Sequence, residues 1–171
     1  MNHSSQVRIL VLTSDRELEP AIADAVDELG RLSAVAQELT HPITSTELFR
    51  SSQSTQQQQQ QRLYIAFCDD RVVGLLKTGT RHLFYVDRKG AYSEMDPRCV
   101  LDFFVREDVQ RRGVGLALFQ SMLQNEQITA RKLAYDRPSP KLMAFLCKHS
   151  SLTAHFPQPN RFVVFDDYFL D

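Results

Sequence analysis

The chain contains no tryptophan, only three cysteines and only six glycines in 171 residues, and neither sign of charge dominates it. Cys68, Cys99 and Cys147 are odd in number and widely spaced, which excludes a disulfide framework and a zinc site and favours a reducing compartment. Lys and Arg total 20 against 21 Asp and Glu, a net charge of −1. No global field therefore draws the protein to nucleic acid or to an anionic membrane. His3, His41, His82, His149 and His155 form no i, i+4 pair and no Cys/His cluster, so no metal is expected. No apolar run reaches membrane-spanning length, and the polar start Met1 to Gln6 does not resemble a signal sequence. The expectation is a soluble, intracellular single domain over residues 1–171, without internal repeats.

What is present alternates strands with helices. Val7 to Leu12 reads as an edge or first strand. Ile22, Ala25, Val26 and Leu29 form one helical stripe, and Leu32, Val35, Ala36 and Leu39 a second beyond Gly30. Gly30 bends or breaks that helix, and His41-Pro42 ends it. Ser51 to Gln61, a Ser/Gln tract without an apolar face, reads as a disordered loop outside any core. Leu63 to Cys68 and Val72 to Thr78 flank Asp69-Asp70-Arg71 as a hairpin, and His82 to Val86 follows as a third strand before the turn Arg88-Lys89-Gly90. Strands over Cys99 to Val105, Lys132 to Tyr135 and Arg161 to Phe165 bracket helices after Gly115 and over Ser139 to His149. This order predicts an α/β chain of the α+β kind, a mixed central sheet with helices on both faces.

Two of the six glycines fall in Gln110-Arg111-Arg112-Gly113-Val114-Gly115, between an apolar strand and a helix carrying Leu116, Phe119, Met122 and Leu123. A loop this low in bulk lets backbone N–H groups converge at the positive end of the helix dipole, the physical requirement for holding a pyrophosphate. No Gly-Lys-Ser/Thr follows, and three spaced glycines are absent, so neither the P-loop nor the dinucleotide fingerprint fits. Strand, Q-R-R-G-V-G and helix in that order resemble the coenzyme A motif of the GCN5-related N-acetyltransferases.

Further segments resemble one family within that fold. Val100-Leu101-Asp102-Phe103-Phe104, Val109-Gln110-Arg111, Leu118 to Gln124, and Asp136-Arg137-Pro138-Ser139 with Lys141-Leu142 are similar to the α-tubulin N-acetyltransferases. So are Asp27 to Gly30, Ala36-Gln37, Pro42 to Ser45, Pro157-Gln158 and Phe162 to Phe165. One departure stands out: where relatives carry an arginine thought to matter for activity, this chain has Leu48, with Arg50 two residues on.

The resemblance implies roles residue by residue. Asp136 corresponds to a catalytic aspartate, although before Arg-Pro-Ser it also suits a cap or turn. Cys99 corresponds to the active-site cysteine, as proton relay or acceptor-slot lining, against the plain reading of a small buried hydrophobe. Gln37 orients the acceptor or the catalytic pair, against a solvated position, and Ile43 belongs to the acceptor wall. For acetyl-CoA, Phe103, Phe104 and Val105 offer strand backbone to the pantetheine amides. The segment Gln110, Arg111, Arg112, Gly113, Val114, Gly115 and Leu116 holds the pyrophosphate, while Ser139, Lys141, Phe145 and Lys148 contact the pantetheine and adenosine portions. Arg106, Arg111 and Arg112 form a basic cluster whose use is open among a solvated face, the coenzyme phosphates and acidic tubulin.

The activity implied is acetyl-CoA-dependent acetylation of an α-tubulin lysine in microtubules, by direct transfer in a ternary complex. The expected setting is the cytoplasm and microtubule cytoskeleton, with cilia or flagella as candidates, and a monomer acting on tubulin. An acetyltransferase of this fold with another protein or small-amine acceptor, and a microtubule-binding module with little turnover, are the alternatives.

Overall fold

The computed structural model describes residues 6–51 and 61–171. A six-stranded sheet has the order β1-β2-β3-β6-β7-β8, formed by Val7–Thr13, Arg62–Cys68, Arg71–Thr80, Arg98–Val105, Leu133–Asp136 and Phe162–Val164. All neighbours are antiparallel except β6 and β7, which are parallel. The remaining strands, β4 (Leu83–Val86) and β5 (Tyr92–Met95), make a separate two-stranded ribbon. The third strand therefore leaves the main sheet, and its partner β5 is an element the sequence pattern did not reveal. The helices are α1 (Pro20–Ala36), α2 (Thr46–Ser51), α3 (Val114–Glu126) and α4 (Pro140–Ser150).

Strand alternation divides the core. Along β2, Leu63, Ile65 and Phe67 face Val26 and Leu29 of α1 and Phe49 of α2. Tyr64 and Ala66 point the other way, toward Leu118, Phe119 and Met122 of α3. Each fully buried Leu or Val contributes roughly 2 kcal/mol, so both helices are held mainly by these rows. The inner row of α3 is Val114, Leu118, Phe119 and Met122, whereas Leu116 turns out toward a cavity.

Gly30 does not break α1, which runs unbroken from Pro20 to Ala36. A Cβ at Gly30 would lie 1.8 Å from the Thr44 carbonyl oxygen, so glycine is there because the following loop crosses against the helix. The expected second stripe is corrected as well: Val35 is 75% exposed, while Ser33 and Ala34 are buried. The short helix α2, which buries Phe49, was also unforeseen. Of the Ser/Gln tract, Ser51 closes α2 and Gln61 is 7% exposed, so its last residue does enter the core; 52–60 lie outside the described residues. Among the described residues no helix is long and apolar enough to cross a membrane, and no group of His, Cys, Asp and Glu is arranged to hold a metal.

Candidate active site

A cleft opens where two neighbouring strands stop pairing. β6 and β7 are bonded from Arg98↔Leu133 to Val100↔Tyr135. Beyond that point β6 continues to Val105, while β7 ends at Asp136. The far edge of β6 stays paired with β3, from Lys77↔Asp102 to Gly74↔Val105, so among the described residues the edge turned toward β7 has no strand partner after Val100. It borders a cavity of about 690 Å³. Phe103, Phe119 and Phe145 form an aromatic bed beside it, with ring centroids 5.4 to 6.4 Å apart.

The start of α3 closes one end. Arg111 and Gly113 both adopt left-handed backbone, with φ of 69° and 80°. A Cβ on Gly113 would meet nothing within 4 Å, leaving open space in front of the helix start. The first-turn N–H groups lack intrahelical acceptors and carry the positive end of the dipole. Arg111, Arg137, Lys141 and Lys148 line the same cavity. Cations and first-turn amides thus line one cavity, Lys141 reaching the Gln110 side chain just before α3, as an anionic ligand requires.

Most of the residues singled out from sequence meet here. Gln37, Phe103, Phe104, Val105, Gln110, Arg111, Gly113, Gly115, Leu116, Asp136, Ser139, Lys141, Phe145 and Lys148 all line the cavity. Four others do not. Arg112 lies in a separate small hollow beside Asp69, Asp70 and Arg71, and Val114 is packed in the core at 1% exposure. Ile43 does not border the cavity; its carbonyl oxygen accepts a hydrogen bond from Lys77 Nζ. Cys99 is fully buried between Gly79 and Ala134, and its Sγ donates to the Pro97 carbonyl at 3.3 Å. Burial pushes its thiol up to about 12. The Gln110 side chain is also occupied, donating to the Val105 carbonyl at 2.9 Å and accepting from Lys141 at 3.4 Å, and its backbone N–H donates to the Glu107 carbonyl at 3.3 Å. Leu48 and Arg50 are exposed and outside the cavity.

Asp136 ends β7 with its carboxylate on the cleft. It does not cap α4: Ser139 does, accepting from the Leu142 N–H at 3.1 Å. Burial raises the Asp136 carboxyl above the usual carboxylate range, opposed by Arg137, Arg81 and Lys77. A carboxylate without a capping duty, made more basic by burial, can take up a proton in the cavity.

Behind this wall lies a polar network in which the sequence reading gave a role to Gln37 alone. Asp102, 4% exposed, accepts from Ser33 Oγ at 2.7 Å, Thr44 Oγ1 at 2.6 Å and Gln37 Nε2 at 3.2 Å. Opposite it in register stands Lys77, 6% exposed, whose ammonium burial lowers to about 8 despite the attraction of Asp102. The available signal was one charge in each of two otherwise apolar strands, Val-Leu-Asp-Phe-Phe and Leu-Leu-Lys-Thr. His149, expected only as a helix-end residue, lines the cavity with its ring 4.6 Å from that of Phe145.

Residues 3–171 match the family model described as GNAT acetyltransferase, Mec-17. The chain belongs to that family. Among Mec-17 relatives, the α-tubulin N-acetyltransferase of Phytophthora infestans is 58% identical over 161 residues, covering 88% of this chain and 90% of that protein. α-Tubulin N-acetyltransferase 1 of Danio rerio is 41% identical, again over 88% of this chain but 50% of its own length. Solved structures share the GNAT fold: an acetyltransferase of Thermus thermophilus has a TM-score of 0.60 at 16% identity, covering 96% and 97% of the two chains. The xEco2 acetyltransferase domain bound to a K105-CoA conjugate has a TM-score of 0.58 at 14% identity, covering 84% and 86%. A mixed sheet with helices on both faces is thus the Mec-17 fold in this chain, as expected from its order of elements.

Proposed function

We propose that this protein transfers the acetyl group of acetyl-CoA to a lysine of α-tubulin in microtubules. The observation that carries the reading is one cavity combining an unpaired strand edge, a cation-flanked helix start and Asp136. The likeness to the Phytophthora α-tubulin N-acetyltransferase over nearly the whole of both chains supports the choice of acceptor.

When bound, acetyl-CoA supplies an acetyl thioester, an electrophilic carbonyl already activated for acyl transfer. The residues present fit it. The edge from Phe103 to Val105, where only the Val105 carbonyl is taken, by the Gln110 side chain, offers strand-like bonds to the amide-bearing arm, and the start of α3, with Arg111, Lys141 and Lys148, answers the phosphates. A lysine ammonium near pKa ~10.4 is neutral in about one molecule in 2,500 at pH 7, a cost of about 4.6 kcal/mol. Asp136 takes that proton, either from the ammonium or from the nitrogen once bonding to the acetyl carbon has made its N–H more acidic. The nitrogen attacks the thioester directly: the amide N–C bond forms, the C–S bond breaks, and coenzyme A leaves as a thiolate that takes up a proton. Cys99 does not carry the acetyl group: it is fully buried and does not line the cavity, and burial pushes its thiol up, away from the reactive thiolate.

On this reading the protein works as a monomer in the cytoplasm and on the microtubule cytoskeleton, axonemes included. Incubation with acetyl-CoA and either polymerised tubulin or a panel of small amines tests the acceptor. Polymer acetylation is expected; turnover of a small amine with the polymer left untouched overturns it.

A further inference from the structure

Gln37, the C-terminal cap residue of α1, borders the cleft and also bonds into the buried network that begins one turn back at Ser33. Its Nε2 donates both to Ser33 Oγ at 2.8 Å and to Asp102 Oδ1 at 3.2 Å. The donor pattern fixes which amide atom turns inward. An ionised Asp102 only accepts, and the Ser33 hydroxyl already gives its proton to Asp102, so both groups can only receive from Gln37. Reversing the amide would set its oxygen against a carboxylate oxygen. The carbonyl oxygen Oε1 is therefore the atom left over, and no described residue donates to it. Asp102 itself is aimed at α1 by a register slip between Lys77 and Thr78, which leaves Leu101 as an extra residue in β6.

Resting on the proposed acetyl transfer, we propose that Asp102 is a positioning residue for the acceptor amine: it locks the Gln37 amide so that Oε1 accepts an N–H of the incoming lysine. Asp102 never touches the substrate. It acts by denying Gln37 its other orientation, in which the amide nitrogen would oppose an ammonium donor with a donor. A fixed acceptor on the cavity that Asp136 also lines favours the neutral amine's approach with its lone pair free of hydrogen bonds, since one N–H is directed at Oε1. Lys77, opposite Asp102 in register, supports the neighbouring loop by donating to the Ile43 carbonyl.

The test is a double-mutant cycle with Asp102→Asn and Gln37→Ala, reading the Michaelis constants of both substrates in the purified chain. Asp102→Asn lets the Gln37 amide reverse and should raise the acceptor KM about tenfold, the worth of one hydrogen bond, with the acetyl-CoA KM within about twofold. Adding Gln37→Ala should worsen the acceptor KM by less than about twofold more, because both changes remove the same contact. Additive losses, or an equal rise in both KM values, overturn the proposal. Asp102→Asn combined with Gln37→Glu exchanges donor for acceptor across the contact and again presents an oxygen to the cleft. It should bring the acceptor KM back to within about threefold of wild type. Should Asp102→Asn alone fail to fold, this exchanged pair decides by itself, and a folded pair that keeps the high acceptor KM contradicts the proposal. Absence of acetyl transfer by the wild-type protein is a separate outcome: it refutes the proposed function, not the positioning of Gln37.

Discussion

Replacing Asp136 by asparagine keeps side-chain shape and removes only the capacity to take a proton. The helix that follows stays capped by Ser139, and no hydrogen bond of the Asp136 carboxylate is lost from the structure. General bases contribute typically 10²–10⁴ in rate, so kcat should fall by about that factor while acetyl-CoA binding changes less than about threefold. Stability should not fall. Burial raises the folded-state pKa of Asp136, so its protonated form is favoured by folding below the unfolded pKa, and that advantage is lost as pH rises through the folded value. At neutral pH the buried charge is thus a cost that asparagine removes, and the thermal midpoint should equal or exceed that of wild type. The wild-type rate should also decline on acidification at a pH above the ordinary carboxylate range, and the asparagine variant should lack that limb. Stopped assays over pH 5 to 9, with calorimetric binding of acetyl-CoA, read all three. A rate loss below about fivefold with the acid limb intact would falsify the assignment of Asp136 as the base.

Four further outcomes follow from the same geometry. Gly113→Ala places a side chain in left-handed backbone at a cost of ~1 kcal/mol and fills the space before α3, so urea unfolding should show that small loss and acetyl-CoA Kd should rise about tenfold. Gly30→Ala drives a methyl group into the Thr44 carbonyl and should cost more than ~3 kcal/mol or prevent folding, whereas Ser139→Ala, which loses one cap, should cost ~1 kcal/mol. Rapid quenching during turnover, followed by peptide mass analysis, should find no acetyl group on Cys99; a transient adduct there contradicts direct transfer.

The sequence was readable where side chains repeat with the period of the element that carries them. The unbroken apolar run from Leu63 to Phe67 marks a strand covered on both faces, and the glycines of Gln110 to Gly115 mark a helix start with open space before it. Reading failed where one residue's place depends on a distant partner. Gly30 looks like a helix breaker until Thr44 is seen lying on it, and Val35 looks like core until the buried side of α1 is found to carry Ser33. The strand over Leu83–Val86 satisfies its hydrogen bonds with Tyr92–Met95, a polar segment that no apolar run announces. Asp102 is the most instructive case. Its charge was visible in an apolar strand, but the three donors that make burial tolerable come from Ser33, Gln37 and Thr44, on segments far off in the chain.

Mapping acetyl-lysine by mass spectrometry on polymerised tubulin, after incubation with the purified protein and acetyl-CoA, tests the central claim most directly. The account predicts a modified lysine of α-tubulin that appears with wild-type protein and is nearly lost with Asp136→Asn. Unmodified polymer, or equal modification by both proteins, contradicts it.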